Sequence, residues 1–160
     1  MHSANRVPVA NSLLAALPRK ECRHLIDDLE QVALTYGEVL YEPGEQIRHV
    51  YFPNDSVVSL LTLVDQHQAL EVGLVGREGM VGIPLALAIS ISPVRALVQG
   101  TGTAMRMKAA SFLKELRQSQ ALQRELHHYT YTLMAQITQT AACNRFHVVE
   151  ARMARWLLMT

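Results

Sequence analysis

The residues best suited to chemistry lie between Gly76 and Leu97. Gly76, Gly79 and Gly82 let the backbone turn sharply and come close to a partner. Pro84 suits the first residue of a short helix, where its fixed φ helps and its missing N–H costs nothing. The free N–H groups at such a helix start favour an anion. Arg95 follows on the returning strand as a planar, permanently charged fork that matches phosphate or carboxylate. Gly82, Ile83, Arg95 and Ala96 therefore outline an expected anion pocket on a small β-structure. The same residues allow a second reading, in which Ile83 and Leu85 fill the interior and Arg95 makes a structural ion pair.

Other chemistry is weaker. The chain has seven histidines, but His127 and His128 are adjacent and point to different sides of a helix. Cys143 and His147 stand four apart, which on a helix makes a candidate metal or haem ligand pair. His67 and Glu71 would suit a metal on a β-roll, yet the His-x-His partner such sites need is missing. There is no Ser-His-Asp candidate, no carboxylate pair in an apolar setting and no P-loop, so an enzyme is not expected. Cys22 and Cys143 are the two cysteines, without CxxC spacing, which reads as a reduced, intracellular protein. A net charge of +1 gives no basic excess for nucleic acid. No apolar run approaches a membrane span, and the first residues lack a signal core, so the cytoplasm is the expected location.

These side chains need a scaffold. Residues 1–10 read as a mobile arm. Asn11 and Ser12 are N-cap types ahead of Leu13–Leu17, and Pro18 opens a second helix with Leu25, Ile26 and Leu29 on one face. From Gln31 to Met107 the pattern is short strands between Gly/Pro turns, which indicates an all-β roll or barrel. Lys108–Arg117 reads as a short helix. Residues 119–160 contain no Gly and no Pro. Within them Leu133, Ile137, Thr140, Asn144, His147, Ala151, Ala154 and Leu158 recur at alternating steps of four and three, an a/d seam. One helix over this segment would span roughly 60 Å, too long to hide a face on this domain. Pairing with the same helix of a second chain is expected, with Asn144 fixing register and Thr140 allowing close approach.

Four stretches resemble the Crp/Fnr branch of bacterial transcription regulators, and the likeness runs from about Asn11 to Thr160. They are the Asn-Ser-Leu-Leu-Ala-Ala-Leu-Pro entry at 11–18, the Tyr41-Glu42-Pro43-Gly44-Glu45 turn with Val50-Tyr51-Phe52, the Gly82–Arg95 cassette, and Arg152-x-Ala154-x-x-Leu157-Leu158. The resemblance implies a mainly β fold with flanking α: a double-stranded β-helix, or jelly roll, of the cyclic-nucleotide-binding type, followed by a long C-terminal dimerisation helix. It implies an arm at 1–10, the roll with its entry helices at 11–117 and the dimerisation helix at 118–160. It places Gly82, Ile83, Arg95 and Ala96 at the ligand's phosphate, and Ile137 and Thr138 at the helix side of the pocket. It implies a homodimer through Leu133, Ile137, Thr140, Asn144, His147 and Ala151. It also implies a relay of occupancy to a helix-turn-helix domain, which would bind DNA in a full-length parent and before which this chain stops. Members that bind cyclic AMP carry Glu where Ile83 stands, and Ser or Thr where Ala96 stands. A ribose hydroxyl facing isoleucine would be left unpaired at about 1–3 kcal/mol. The implied effector is thus a cyclic nucleotide or another small anion, with no cofactor fixed by these residues. The alternatives are a ligand-free dimerisation module with a degenerate pocket, and a haem or metal sensor; the cysteine set of the iron–sulfur members is missing.

Overall fold

A computed structural model describes residues 10–65 and 68–159 of the chain. The expected arm at 1–10 falls outside these except for Ala10, as do His67 and Thr160. Two short helices, α1 (Ser12–Ala15) and α2 (Arg19–Asp27), lead into seven strands: β1 (Glu30–Leu34), β2 (Val39–Tyr41), β3 (His49–Pro53), β4 (Val57–Leu63), β5 (Ala69–Val75), β6 (Arg95–Gly100) and β7 (Gly102–Lys108). A 3₁₀ turn, Ile83–Leu87, interrupts the β5–β6 connection. Three helices follow: α3 (Ala109–Gln118), α4 (Gln120–Phe146) and α5 (Val149–Met159).

The strands form two antiparallel sheets, ordered β1-β7-β3 and β2-β6-β4-β5. This is the β-roll followed by a long helix that the strand pattern and the resemblance led us to expect. Alternation sorts the side chains: on β6, Ala96 and Val98 are fully buried while Arg95 and Leu97 between them are half-buried. Phe52, Val58, Val75, Met80, Met107 and Phe112 fill the core, and Leu122, Leu126 and Leu133 of α4 close it.

Asn11 ties the entry helices to the roll. Its Oδ1 accepts from Leu14 N–H, capping α1, and its Nδ2 donates to the carbonyls of Pro53 and Gly79, both at 2.9 Å. Ser12 N–H donates to Arg77 O at 2.7 Å, so the glycine loop is held on the same side. Gly79 then lies against the Tyr129 ring of α4; a Cβ there would come within 2.3 Å of the ring. Ser119 caps α4 by accepting from Leu122 N–H and bonds the Glu21 carboxylate of α2.

One expectation is corrected. The helix anticipated over 119–160 ends at Phe146, after 27 residues, or about 40 Å. His147 is extended (φ −103°, ψ 147°), and its N–H closes the last turn on Cys143 O. The chain resumes as α5 and turns back, so that Arg155 Nη1 donates to Thr140 Oγ1 at 3.1 Å. Two adjacent β-branched residues, Val148 and Val149, weaken the helix here. The fold-back does not bury α5: none of its residues is buried, and Val149, Met153, Leu157 and Leu158 stay exposed. The four-three spacing survives the turn because both segments are amphipathic helices, which is why periodicity did not show it. His147 therefore sits in the turn and Ala151 on α5, so neither belongs to a seam on α4.

Asn11→Ala should cost about 2–4 kcal/mol in denaturant unfolding, since it removes a cap and leaves two carbonyls unpaired. Gly79→Ala should cost about 1–3 kcal/mol by overpacking Tyr129. Gly76→Ala meets only the flexible Glu78 side chain and should cost about 0.5 kcal/mol or less.

Candidate functional site

The cassette is built by the loop that Asn11 holds. Gly82 has φ +104°, a left-handed value that a side chain disfavours. It starts the 3₁₀ turn with Pro84 near its beginning, and Ala88, with φ +60°, ends it. A Cβ on Gly82 would stand 3.0 Å from Val50 Cγ1 and 3.5 Å from Tyr41 Oη. Gly82 thus faces a buried aliphatic side chain and a phenol. Burial raises the Tyr41 and Tyr129 hydroxyls well above the ordinary tyrosine range, helped at Tyr41 by the neighbouring Tyr51 and Tyr129, and at Tyr129 by Glu78. These phenols are neutral at physiological pH.

The sequence grouped Gly82, Ile83, Arg95 and Ala96; in the structure Arg95 parts from the inward-facing residues. Ala96 is fully buried and faces inward, and Ile83 packs on the core. Arg95, one residue away on an alternating strand, emerges on the opposite face. Its Nε donates to Glu42 Oε2 at 2.8 Å, with about a third of each side chain exposed. Glu42 comes from the turn after β2, and nothing in the spacing marked it as the partner. The guanidinium expected to hold an anion inside the roll is in an ion pair outside it.

The helix side is also rearranged. Gly73 of β5 leaves room for α4: a Cβ there would meet Gln136 Oε1 at 3.0 Å, Leu133 Cδ1 at 3.5 Å and Ile137 Cγ1 at 3.7 Å. Ile137 thus packs against the roll. Thr138 is exposed, and its hydroxyl donates to Met134 O at 2.9 Å, back-bonded to its own helix. Gln136, which sequence reasoning missed, accepts from Leu74 N–H at 2.9 Å and donates to Leu74 O at 3.3 Å, completing the free edge of β5.

Four of the six residues assigned to the dimer seam face their own chain. Leu133 is 6% exposed, Ile137 touches Gly73, Thr140 bonds Arg155, and Asn144 lines a cleft against α5. The physical reason is that a long amphipathic helix must first bury its apolar stripe on its own domain. A neighbouring face of α4, turned by about 100°, carries His127, Tyr131, Met134, Thr138, Ala141 and Arg145, again at steps of four and three, and all are exposed. Tyr131 is 75% and Met134 62% exposed.

Among the described residues no three His, Cys, Asp or Glu converge as a metal site. Cys143 is buried, with Sγ 3.6 Å from the Gln139 amide, while His147 is exposed in the turn. A cleft of about 500 Å³ lies between β5, α4 and α5 and includes Glu71, Thr140, Asn144, Arg152, Arg155 and Trp156. Smaller clefts of about 290 Å³ and about 250 Å³ lie beside Tyr41, Arg48 and His49, and beside Leu116 and His127. None of the three is lined by Gly82, Ile83, Arg95 or Ala96.

Arg95→Gln should shift unfolding free energy by less than about 1 kcal/mol, as expected of a partly exposed ion pair. A urea titration beside Glu42→Gln checks it, and the two variants should be equivalent.

No family model matches the chain, and no curated protein matches it in sequence. Solved structures do match. The c-di-GMP responsive global regulator CLP of Xanthomonas campestris superposes with a TM-score of 0.71 at 14% identity, over 88% of this chain and 70% of that one. FixK2 of Bradyrhizobium japonicum gives 0.70 at 14% identity, over 82% and 65%. A CooA variant from Carboxydothermus hydrogenoformans gives 0.66 at 13% identity, over 91% and 93%. The chain therefore has the fold of the sensor domain of Crp/Fnr-type regulators, a cyclic-nucleotide-binding-like roll followed by a long helix.

Proposed function

We propose that the protein is the effector-sensing and dimerisation domain of a Crp/Fnr-type transcription regulator. The observation that carries this reading is the two-faced α4. One face is seated on the roll, and the other presents Tyr131, Met134, Thr138 and Ala141 at coiled-coil spacing with nothing of its own chain over them. A second copy of the same helix fits that face, with Thr138 and Ala141 small enough for close approach. In this reading the dimer seam lies on the stripe of α4 next to the one first read from the sequence. A small anionic effector would act by shifting the balance between two arrangements of the helix pair. DNA binding belongs to a full-length parent carrying a helix-turn-helix domain, and such a regulator works in the cytoplasm.

The cassette in its present form argues against a cyclic nucleotide held as in cyclic-AMP binders. Ile83 replaces the ribose-binding carboxylate, Ala96 the hydroxyl, and Arg95 is engaged with Glu42. These same observations favour a second reading, a ligand-free dimerisation module. Thermal shift separates the two: a sensor gains melting temperature with at least one small anion, and a structural module with none.

Met134→Glu places like charges at the centre of the proposed seam. In sedimentation equilibrium it should weaken self-association by at least about tenfold without loss of helical circular dichroism. Leu133→Glu should instead unfold the domain, because Leu133 is core. Dimers of unchanged affinity in Met134→Glu would exclude this seam.

A further inference from the structure

The cleft between β5, α4 and α5 has walls of different chemistry. Leu70, Met153, Met159 and the indole of Trp156 give it an apolar surface. Arg152 and Arg155 bring two guanidinium groups to the same side. Arg155 is fixed in the wall by its bond to Thr140 Oγ1. Among the described residues, ion pairs within 4.0 Å are formed by Arg95 with Glu42 and Arg106 with Glu30, so neither cleft arginine is neutralised in this way. Glu71, the carboxylate in the cleft, is engaged from the other direction: its Oε2 accepts from Ser59 Oγ at 2.6 Å. A volume of about 500 Å³ suits a small molecule.

We infer that this cleft is the effector site, and that it takes an amphipathic anion: a flat or acyl apolar body against Trp156 and Met153, with a carboxylate, sulfonate or phosphate at Arg152. Guanidinium beside indole favours such a ligand twice, through charge-assisted hydrogen bonds to the anion and through the aromatic face offered to the body. The inference rests on the sensor reading above and deepens it. The three walls belong to the roll, the proposed dimer helix and α5, so a bound molecule spans all three. Occupancy would fix α5 across the His147–Val148 turn, where no glycine or proline sets the angle.

The test uses 8-anilinonaphthalene-1-sulfonate, a flat apolar body with one sulfonate, as the probe. Trp156 is the sole tryptophan of the chain, so energy transfer from it reports binding at this place. Saturable binding is expected at one probe per chain, with Trp156 emission falling as the probe's rises. Arg152→Gln should weaken binding by about tenfold or more, the value of a charge-assisted hydrogen bond. Met153→Glu should abolish it, and Arg95→Gln should leave it unchanged. Arg152 and Met153 are exposed, so helical content should persist and is checked by circular dichroism. Binding that both α5 variants leave intact, or that leaves Trp156 emission unchanged, would overturn the assignment, as would a rise that never saturates. A dimer without a probe site at Trp156 would remove the cleft and keep the dimerisation reading. A monomer that binds the probe there would remove the dimer and keep the cleft.

Discussion

At Gly73 the β5 strand lacks a side chain, and α4 takes the space with Leu133, Ile137 and Gln136. That contact decides the orientation of the whole helix. With Leu133 and Ile137 turned inward, Tyr131 and Met134 point outward, because residues one or two positions away from Leu133 are turned off its face around the helix. The side of α4 open to a partner is therefore set by a missing Cβ on a strand more than fifty residues earlier. Gln136 strengthens the seating by giving the edge of β5 the hydrogen bonds that a further strand would give. A helix anchored this way is a rigid extension of the roll, which is the property a mechanical relay requires.

Much of the roll was legible because its signals are local. Asn11 as a cap, the Gly/Pro turns, and the alternation of buried and exposed residues on β6 all follow from one or two neighbours in sequence. The helix end was not legible, because Val148 and Val149 weaken a helix without forbidding it, and the fold-back depends on β5 and α4 surfaces far away in the chain. The proposed seam departs from the one read in the sequence for a related reason. The spacing of four and three occurs on two stripes of α4, once in Leu133, Ile137, Thr140 and Asn144, and once in Tyr131, Met134, Thr138 and Ala141. Period identifies that a stripe exists; hydrophobicity ranks the stripes; only the roll shows which one it claims for itself.

The site separates along the same line. The backbone part of the cassette, Gly82 with its left-handed φ and the short turn after it, was readable from residue type. The charged part was not, since the direction of Arg95 depends on strand parity and on Glu42, a partner brought in by β2–β6 pairing. A motif with its geometry conserved in kind but its cation turned outward keeps its architectural role. It leaves electropositive chemistry to α5, whose two arginines and tryptophan looked from sequence alone like the exposed end of a rod.

Asn11 also bears on how the chain is made. Its two carbonyl partners, Pro53 and Gly79, lie 42 and 68 residues further on. During vectorial synthesis the entry helices have no dock until the glycine loop has emerged, and α4, which closes the core, emerges later still. The entry helices thus wait on contacts of high sequence separation, and until these form their apolar faces are the stretch most dependent on chaperone cover.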